Sequence, residues 1–184
     1  MRIISGKFKG SKLFQPQNKD TRPLKDIVKE SIFNLLNHSK KFSIKLEEKY
    51  ILDLFSGTGS FGLECLSRGA KHVTFVEKNE SVINILKQNI QKLKLGKKVL
   101  VINHSVYKFT DTSFKEPFNL VFLDPPFREI NITKIIDQLK KKKKLDKNAL
   151  FIIHRHKKSK DIFPKNFKIL DEKKYGLSKI MFGN

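Results

Sequence analysis

Short apolar runs along the chain predict buried β-strands. Runs rich in β-branched and aromatic residues cover 50–55, 73–76, 99–102, 120–123 and 150–153. Between the second and third runs, Val82, Leu86, Ile90 and Leu93 recur at helical spacing, which predicts an amphipathic helix over 79–95. Strands that alternate with helices in this way indicate right-handed βαβ units, and therefore an α/β fold on a mostly parallel sheet.

The first part of the chain has a different pattern. Short alternating apolar pieces carry Gly6 and Gly10, and a helical pattern follows over about 24–37. We therefore expect an N-terminal extension at 1–49, consisting of a small β-hairpin and a helix, in front of a main domain at 50–184.

The C-terminal segments predict an antiparallel end to the sheet. Two short apolar segments, 167–170 and 179–182, are separated by the turn-forming Gly176. This arrangement is typical of a hairpin that closes the sheet. In sheets of this class, ligands bind beyond the carboxyl ends of the strands.

The charge of the chain narrows the possible partners without fixing them. It carries 39 Lys and Arg against 18 Asp and Glu, a formal net charge of +21, which attracts polyanions such as RNA or DNA. Only five of the basic residues are arginine, and a general preference for surface lysine would explain the excess equally well. Net charge therefore leaves the function open.

Other composition features indicate a soluble protein of the reducing cytoplasm. The one cysteine, Cys65, cannot form an internal disulfide, and its place in a helical pattern predicts a small core residue. No apolar stretch reaches the roughly 18 residues that span a bilayer, and residues 1–10 lack the apolar core of a signal peptide. His154 and His156 have no ligand cluster beside them, so we expect no metal site.

A glycine-rich turn follows the strand at 50–55. Gly57, Gly59 and Gly62 form a GxGxxG pattern, and Glu77 lies twenty residues after the first glycine at the end of the next predicted strand. This spacing is typical of a dinucleotide site, where glycines admit a pyrophosphate and the acid binds a ribose. The pattern alone is weakly specific.

Asp53 argues against a dinucleotide. A carboxylate at the strand end would repel a pyrophosphate, whereas it would attract a ligand with an ammonium group. S-adenosylmethionine is such a ligand, since it carries an amino acid end, a sulfonium, a ribose and an adenine but no phosphate. Glu77 would then accept hydrogen bonds from the ribose hydroxyls.

The motif Asp124-Pro125-Pro126-Phe127 directly follows the strand at 120–123. The two prolines stiffen the backbone and remove two donors, so carbonyl oxygens can point into the cleft. Hydrogen bonds from an acceptor amine to the Asp124 carboxylate and the Pro125 carbonyl would favour the nitrogen geometry that develops during methyl transfer. Phe127 would stack on the base that carries this amine. The motif therefore predicts an amino-methyltransferase.

With these motifs the chain resembles the RsmD family of bacterial 16S ribosomal RNA guanine-N2 methyltransferases, over essentially its whole length. The matching stretches are 2–10, Thr21-Arg22-Pro23, 30–36, 52–62, 66–70, Glu77 and 124–127. The glycine turn and the Asp-Pro-Pro motif are shared with many amino-methyltransferases. The basic N-terminal stretch, Thr-Arg-Pro and Ser67-Arg68-Gly69-Ala70 are particular to this family.

The resemblance implies a class I methyltransferase fold, a Rossmann-like seven-stranded sheet with an antiparallel last strand, that transfers a methyl group from S-adenosylmethionine to the N2 atom of one guanine. The implied catalytic residues are Asp124, Pro125, Pro126 and Phe127. The implied cofactor contacts are Asp53, Phe55, Gly57, Thr58, Gly59, Glu77 and Lys78, with Asn103 and Ser105 where many such enzymes place an acid for the adenine. The implied RNA contacts are Arg2, Lys7, Lys9, Arg22 and Lys25. The implied partner is 16S rRNA in the small ribosomal subunit or an assembly intermediate, and we expect a monomer.

Other functions remain open from the sequence. A DNA adenine methyltransferase shares the Asp-Pro-Pro-aromatic motif but usually adds a domain that reads DNA, for which 184 residues leave little room. A protein-glutamine methyltransferase more typically carries Asn at the position of Asp124. A dinucleotide oxidoreductase is disfavoured by Asp53, and a non-catalytic RNA-binding assembly factor by the intact motifs.

Overall fold

The described part of the chain forms one mixed sheet with helices on both faces. The computed structural model describes residues 1–16, 24–42, 44–108, 116–126, 129, 131–141 and 144–184. Within these ranges the strands are β1 (Tyr50–Leu54), β2 (His72–Glu77), β3 (Val99–Asn103), β4 (Phe118–Leu123), β5 (Leu145–His156), β6 (Ile169–Tyr175) and β7 (Ser178–Gly183). The α-helices are α1 (Asp26–His38), α2 (Ser60–Ser67), α3 (Glu80–Lys92) and α4 (Ile132–Lys141). In the described residues we find no helix with the length and apolarity that crossing a bilayer requires.

The strand order places a ligand-binding crevice at the centre of the sheet. In the described residues the seven strands lie in the order β3-β2-β1-β4-β5-β7-β6. β1 to β5 are parallel, and β7 is antiparallel to both of its neighbours. The predicted α/β class and antiparallel last strand are confirmed. The order reverses between β1 and β4, and in such sheets the crevice at the reversal binds the ligand.

Two strands differ from their predicted form. The run at 99–102 is an edge strand, so Leu100 is exposed although its neighbours in sequence are apolar. β5 is longer than the predicted 150–153, because pairing to β4 begins at Leu145 and pairing to β7 continues to His156. Hydrogen bonds from neighbouring strands extend a strand into polar sequence, which an apolar run alone does not reveal.

The C-terminal hairpin is confirmed. Tyr175 pairs with Ser178, which leaves Gly176 and Leu177 as a two-residue turn. Gly176 has a φ of +58°, a conformation that glycine adopts without steric cost and that tight hairpins require.

The core divides into two clusters, one on each face of the sheet. Ile51 belongs to the first cluster and its neighbour Leu52 to the second, since successive residues of a strand point to opposite faces. Helix α4 contributes Ile135 and Ile136 to the second cluster. Cys65 is fully buried in the first cluster, as predicted, and burial raises the pKa of its thiol well above the ordinary range.

The N-terminal residues pack against the first face of the sheet. An isolated antiparallel bridge joins Arg2 to Lys12, so the predicted hairpin is a turn closed by one bridge. Ile3 and Leu13 lie in the same core cluster as Ile32 of α1. The extension therefore shares the hydrophobic core of the sheet.

Two buried charges tie this extension to the sheet domain. The carboxylate of Glu64 on α2 accepts hydrogen bonds from the backbone amides of Ile4, at 2.7 Å, and Ser5, at 3.0 Å. Lys29 on α1 donates to the Arg2 carbonyl over 2.7 Å and lies 3.6 Å from Glu64. Both charged side chains are fully buried. Because each charge has polar partners, the desolvation cost of burying it is offset.

Candidate active site

A cavity of about 460 Å³ opens at the carboxyl ends of β1, β2 and β4. This volume lies in the range of small-molecule sites. Most of the predicted site residues in the described ranges line it: Asp53, Phe55, Gly57, Thr58, Glu77, Lys78, Ser105, Asp124, Pro125 and Pro126. Gly59 and Asn103 do not line it, and Phe127 lies outside the described residues.

Gly57 and Gly59, in the turn after β1, have different surroundings. A Cβ at Gly57 would meet nothing within 4 Å, so the backbone there is open to a ligand. A Cβ at Gly59 would lie 2.5 Å from Leu86, which makes this glycine a packing residue. Phe55, between β1 and the glycines, has a φ of +56°. A bulky residue in this conformation is strained, and such strain is concentrated at functional sites.

Glu77, at the end of β2, is oriented by backbone amides. Its Oε2 accepts from Gly57 over 3.1 Å, and its Oε1 accepts from Lys78 and Asn79 over 2.9 Å each. A carboxylate has about four lone-pair sites, so capacity remains for a ligand hydroxyl. The arrangement holds an acceptor at the cavity wall.

Asp53 has a structural contact that the sequence did not reveal. It is almost fully buried, and its Oδ2 accepts from the Gly62 amide over 2.9 Å, which connects β1 to α2. Burial raises the pKa of Asp53 well above its ordinary value of 3.8, and the charges of Asp124 and Glu77 add to this rise. The three carboxylates give the cavity a negative potential that favours a cationic ligand.

Asn103 and Ser105 differ in position. The Asn103 amide points to Glu80, with Nδ2 3.4 Å from Oε1. Ser105 lines the cavity beside His104 and Val106. Of the two residues predicted at the adenine, only Ser105 lines the cavity.

The Asp-Pro-Pro segment follows β4 directly. The Asp124 amide donates to the Leu54 carbonyl over 3.3 Å, which fixes the segment to the end of β1. Its Oδ1 lies 2.8 Å from Nδ1 of His154. Among the described residues, no donor contacts the Pro125 carbonyl, whereas the Pro126 carbonyl accepts from Arg155 over 3.2 Å. Asp124 and Pro125 both line the cavity, and their predicted role as acceptors for the amine stays a prediction.

Sequence reasoning missed three polar side chains around this cavity. His154 and Ser56 line it, and the hydroxyl of Ser56 is buried without a hydrogen-bond partner among the described residues. Arg155 holds the Pro126 carbonyl. The available signal was the position of residues 154–155 directly after the apolar run of β5, at the same sheet edge as Asp124.

The predicted RNA-binding residues lie on the surface of the N-terminal extension. Arg2, Lys7, Lys9 and Lys25 are exposed, while Arg22 lies outside the described residues. Two other residues of the extension, Pro16 and Leu24, form part of the cavity wall. The exposed basic side chains and the cavity are therefore built partly from the same segment.

Comparison with known proteins assigns this architecture. The family model described as "Conserved hypothetical protein 95" matches residues 1–184. The chain belongs to this family. It is 38% identical to the ribosomal RNA small subunit methyltransferase D of Haemophilus influenzae over 179 residues, 96% of this chain and 90% of that protein. The family resemblance drawn from the motifs is thereby confirmed.

Solved structures agree with the family assignment. A putative methyltransferase of Escherichia coli, yhhF, superposes with a TM-score of 0.82 at 31% identity, over 100% of this chain and 96% of that one. A putative methyltransferase complexed with SAH shares the fold at 17% identity and a TM-score of 0.65, over 84% of this chain and 48% of that one. The protein is a methyltransferase.

The lining of the cavity has the chemistry that S-adenosylmethionine, the methyl donor predicted from the sequence, requires. The open backbone at Gly57 and the unpartnered hydroxyl of Ser56 offer polar contacts. Glu77 offers an oriented acceptor for ribose hydroxyls, and the carboxylates favour the ammonium group and the sulfonium. No group of three or more potential metal ligands occurs in the part of the chain described here.

Proposed function

We propose that this protein methylates the exocyclic N2 atom of one guanine in the RNA of the small ribosomal subunit. The observation that carries this proposal is the cavity in which Asp124 and the Pro125 carbonyl stand at the same edge as Glu77 and Gly57. The name of the Haemophilus influenzae relative supports ribosomal RNA of the small subunit as the substrate. The choice of N2 of guanine rests on the resemblance to the RsmD family.

The proposed chemistry assigns a role to each side of the cavity. Asp53, Ser56, Gly57 and Glu77 would bind S-adenosylmethionine. The donor would supply an electrophilic methyl group. Asp124 and the Pro125 carbonyl accept hydrogen bonds from the two hydrogens of the guanine amine. When bound, S-adenosylmethionine would give its methyl group to the amine nitrogen held by Asp124 and the Pro125 carbonyl, and the nitrogen would lose one proton to solvent. A guanine must leave its stack to reach this cavity.

The surface charge supports RNA as the partner. A groove at the C-terminal end of α3, beside β3, is lined by Lys7, Lys87, Lys94, Lys97 and Lys98 around an apolar floor. None of the described residues that line it is acidic. Lysines without acidic neighbours neutralise phosphates and release counterions. We name this surface the lysine groove and assign it, with the predicted contacts Arg2, Lys7, Lys9, Arg22 and Lys25, to RNA.

Helix α3 connects the lysine groove to the cavity. Val82 lines the cavity and Ile90 lines the groove, on the same helix. At about 1.5 Å per residue the two lie about 12 Å apart along the helix axis. An RNA that inserts one nucleotide into the cavity would have to extend along α3 to contact the groove with its backbone. We further propose that the protein acts as a cytoplasmic monomer on the small subunit or an assembly intermediate.

The deciding experiment is a methyl-transfer assay. Labelled S-adenosylmethionine is incubated with the protein and either small subunits or free RNA that lack the modification, and the RNA is digested to nucleosides. We expect label in N2-methylguanosine from a single position. Label in adenosine or in protein would overturn the proposed acceptor. Calorimetry with the methyl donor, run in parallel, separates an inactive protein from an unsuitable substrate.

A further inference from the structure

Two successive side chains at the end of β5 hold the segment that carries Asp124. We propose that His154 is a positioning residue that sets the direction of the Asp124 carboxylate, and that Arg155 fixes the backbone after it. This inference rests on the proposed role of Asp124 in methyl transfer. The contacts of His154 and Arg155 that support the inference do not depend on which base is methylated.

His154 is held at both ring nitrogens. Its Nδ1 lies 2.8 Å from Oδ1 of Asp124, and its Nε2 lies 2.9 Å from the hydroxyl of Ser178 on β7. The residue is 9% exposed and lines the cavity. A ring bonded at both ends on a paired strand has little freedom to turn, so Asp124 has a fixed partner.

These contacts assign a tautomer and leave one carboxylate oxygen for the substrate. An ionised carboxylate only accepts hydrogen bonds, so a neutral His154 must carry its proton on Nδ1. Its Nε2 then accepts from the Ser178 hydroxyl. This contact uses Oδ1 of Asp124, and no donor among the described residues contacts Oδ2, which is left for the acceptor amine. His154 thus acts through Asp124 and does not contact the reacting nitrogen.

Arg155 fixes the other side of the segment. Its guanidinium donates to the Pro126 carbonyl over 3.2 Å and also to the Glu129 carbonyl. Its Nε donates over 2.8 Å to Asp161, whose side chain is as buried as that of the arginine. Asp161 balances the charge of the guanidinium, and two of its N–H donors bind two carbonyls at once.

The two proline carbonyls of the Asp-Pro-Pro segment differ in their hydrogen bonding. Arg155 uses the Pro126 carbonyl, whereas the Pro125 carbonyl meets no donor among the described residues. The segment is held through its second proline, and the carbonyl of the first remains for the acceptor amine. β5 therefore contributes contacts on both sides of the two proposed acceptors, in addition to the contact of the Asp124 amide with β1. Acceptors displaced by even about 1 Å cost large factors in rate.

The first test is spectroscopic and needs no substrate. Long-range proton–nitrogen correlation spectra of the histidine rings are recorded at alkaline pH for the wild type and for Ser178→Ala and Asp124→Asn. We expect His154 in the Nδ1–H form in the wild type, with a changed Nε2 shift in Ser178→Ala and a changed Nδ1–H shift in Asp124→Asn. A His154 ring in the Nε2–H form would overturn the proposal.

The second test is kinetic and uses a pair of variants of similar volume. Asn places a donor near the position of Nδ1, whereas Leu has none, so His154→Asn is compared with His154→Leu. We expect the Leu variant to lose about 10- to 100-fold in kcat and the Asn variant to recover most of this loss. The KM for RNA and the Kd for S-adenosylmethionine should change less than about twofold.

The matched control is His156→Asn, the same change two residues further along β5. His156 accepts from the Lys158 amide and does not line the cavity, so kcat should stay at the wild-type value. Equal kcat values for His154→Leu and His154→Asn would overturn the positioning role. If the RNA assay detects no N2-methylguanosine while the Nδ1–H form is observed, the proposed function fails and the contact of His154 with Asp124 stands.

Discussion

The backbone amide of Gly57 donates to the carboxylate of Glu77 over 3.1 Å, and this contact joins the turn after β1 to the end of β2. The two residues are separated by twenty positions in sequence and meet because their strands are parallel neighbours. The glycine turn and the acid therefore form one wall of the cavity. The contact with Gly57 orients the Glu77 carboxylate.

Removing the Glu77 charge should weaken the methyl donor. Glu77→Gln loses hydrogen bonds to a charged acceptor, each worth about 1.5–3 kcal/mol, so we expect the Kd for S-adenosylmethionine to rise about 10- to 100-fold. Titration calorimetry measures this change. Glu80→Gln, on the exposed start of α3, removes the same charge outside the cavity lining and should leave the Kd unchanged. An unchanged Kd in Glu77→Gln would contradict the assignment.

Removing the Asp124 carboxylate should stop methyl transfer without preventing binding. Asp124→Ala removes an acceptor that acts on the developing charge, for which losses of about 10²- to 10³-fold in rate are typical. Single-turnover rates and filter binding of RNA measure the two effects separately. Asp146→Ala, in the first part of β5 and away from the cavity, is the control. Parallel loss of binding and turnover in Asp124→Ala would contradict the catalytic role.

Asp53 should make the folded protein less stable as the pH rises, which is the opposite of the usual effect of a carboxylate. Burial raises the pKa of Asp53 in the folded state above 3.8, so between that value and the raised pKa the folded state binds more protons than the unfolded state. Its contribution to stability is therefore lost as pH rises through this window and regained as pH falls. Asp53→Asn lacks this dependence and keeps an oxygen that can accept from Gly62.

Urea unfolding of wild type and Asp53→Asn over a series of pH values measures the difference. At neutral pH we expect the Asn variant to be at least as stable as the wild type, and we expect its affinity for S-adenosylmethionine to be lower. The difference in unfolding free energy should shrink toward acid pH. A wild type that is more stable than Asp53→Asn at neutral pH would contradict the burial argument.

The lysine groove should contribute to RNA affinity through its charge. Replacing Lys94, Lys97 and Lys98 by Gln removes three exposed charges from the groove. Each lysine that contacts a phosphate contributes about one unit to the salt slope, so the slope of log Kd against log salt should fall by about 2 to 3.

The control for the groove carries the same charge change elsewhere. Lys147, Lys165 and Lys168 are exposed and do not line the groove. Their replacement by Gln should reduce the slope by less than the groove variant does. Equal slopes for the two triple variants would mean that the lysines act as a diffuse positive field and not as a contact surface.

The sequence predicted the parts of the structure that depend on local pattern. The period of Val82, Leu86 and Ile90 identified α3, and Gly176 identified the turn of the C-terminal hairpin. The cavity residues around Gly57 and Asp124 were found because their motifs directly follow strands. Such signals are local, so a sequence read without a structure contains them.

The remaining features depend on contacts between distant segments. The contact between Asp53 and the Gly62 amide was invisible because the motif indicates only the residue types. His154 and Arg155 were missed because their roles require β5 to lie beside β4 and reach as far as residue 156. The packing role of Gly59 depends on Leu86, 27 positions later, and no period or spacing reveals this neighbour.

Pro16 and Leu24 belong to the N-terminal extension and also line the cavity at the carboxyl ends of β1, β2 and β4. A ligand that contacts both residues binds more tightly while the extension is packed against the sheet. Binding of the ligand and packing of the extension are therefore linked equilibria. Coupling of this kind is reciprocal in free energy. An RNA that bound the outer surface of the extension, as proposed, and a donor that contacted Pro16 and Leu24 would therefore raise each other's affinity by the same factor.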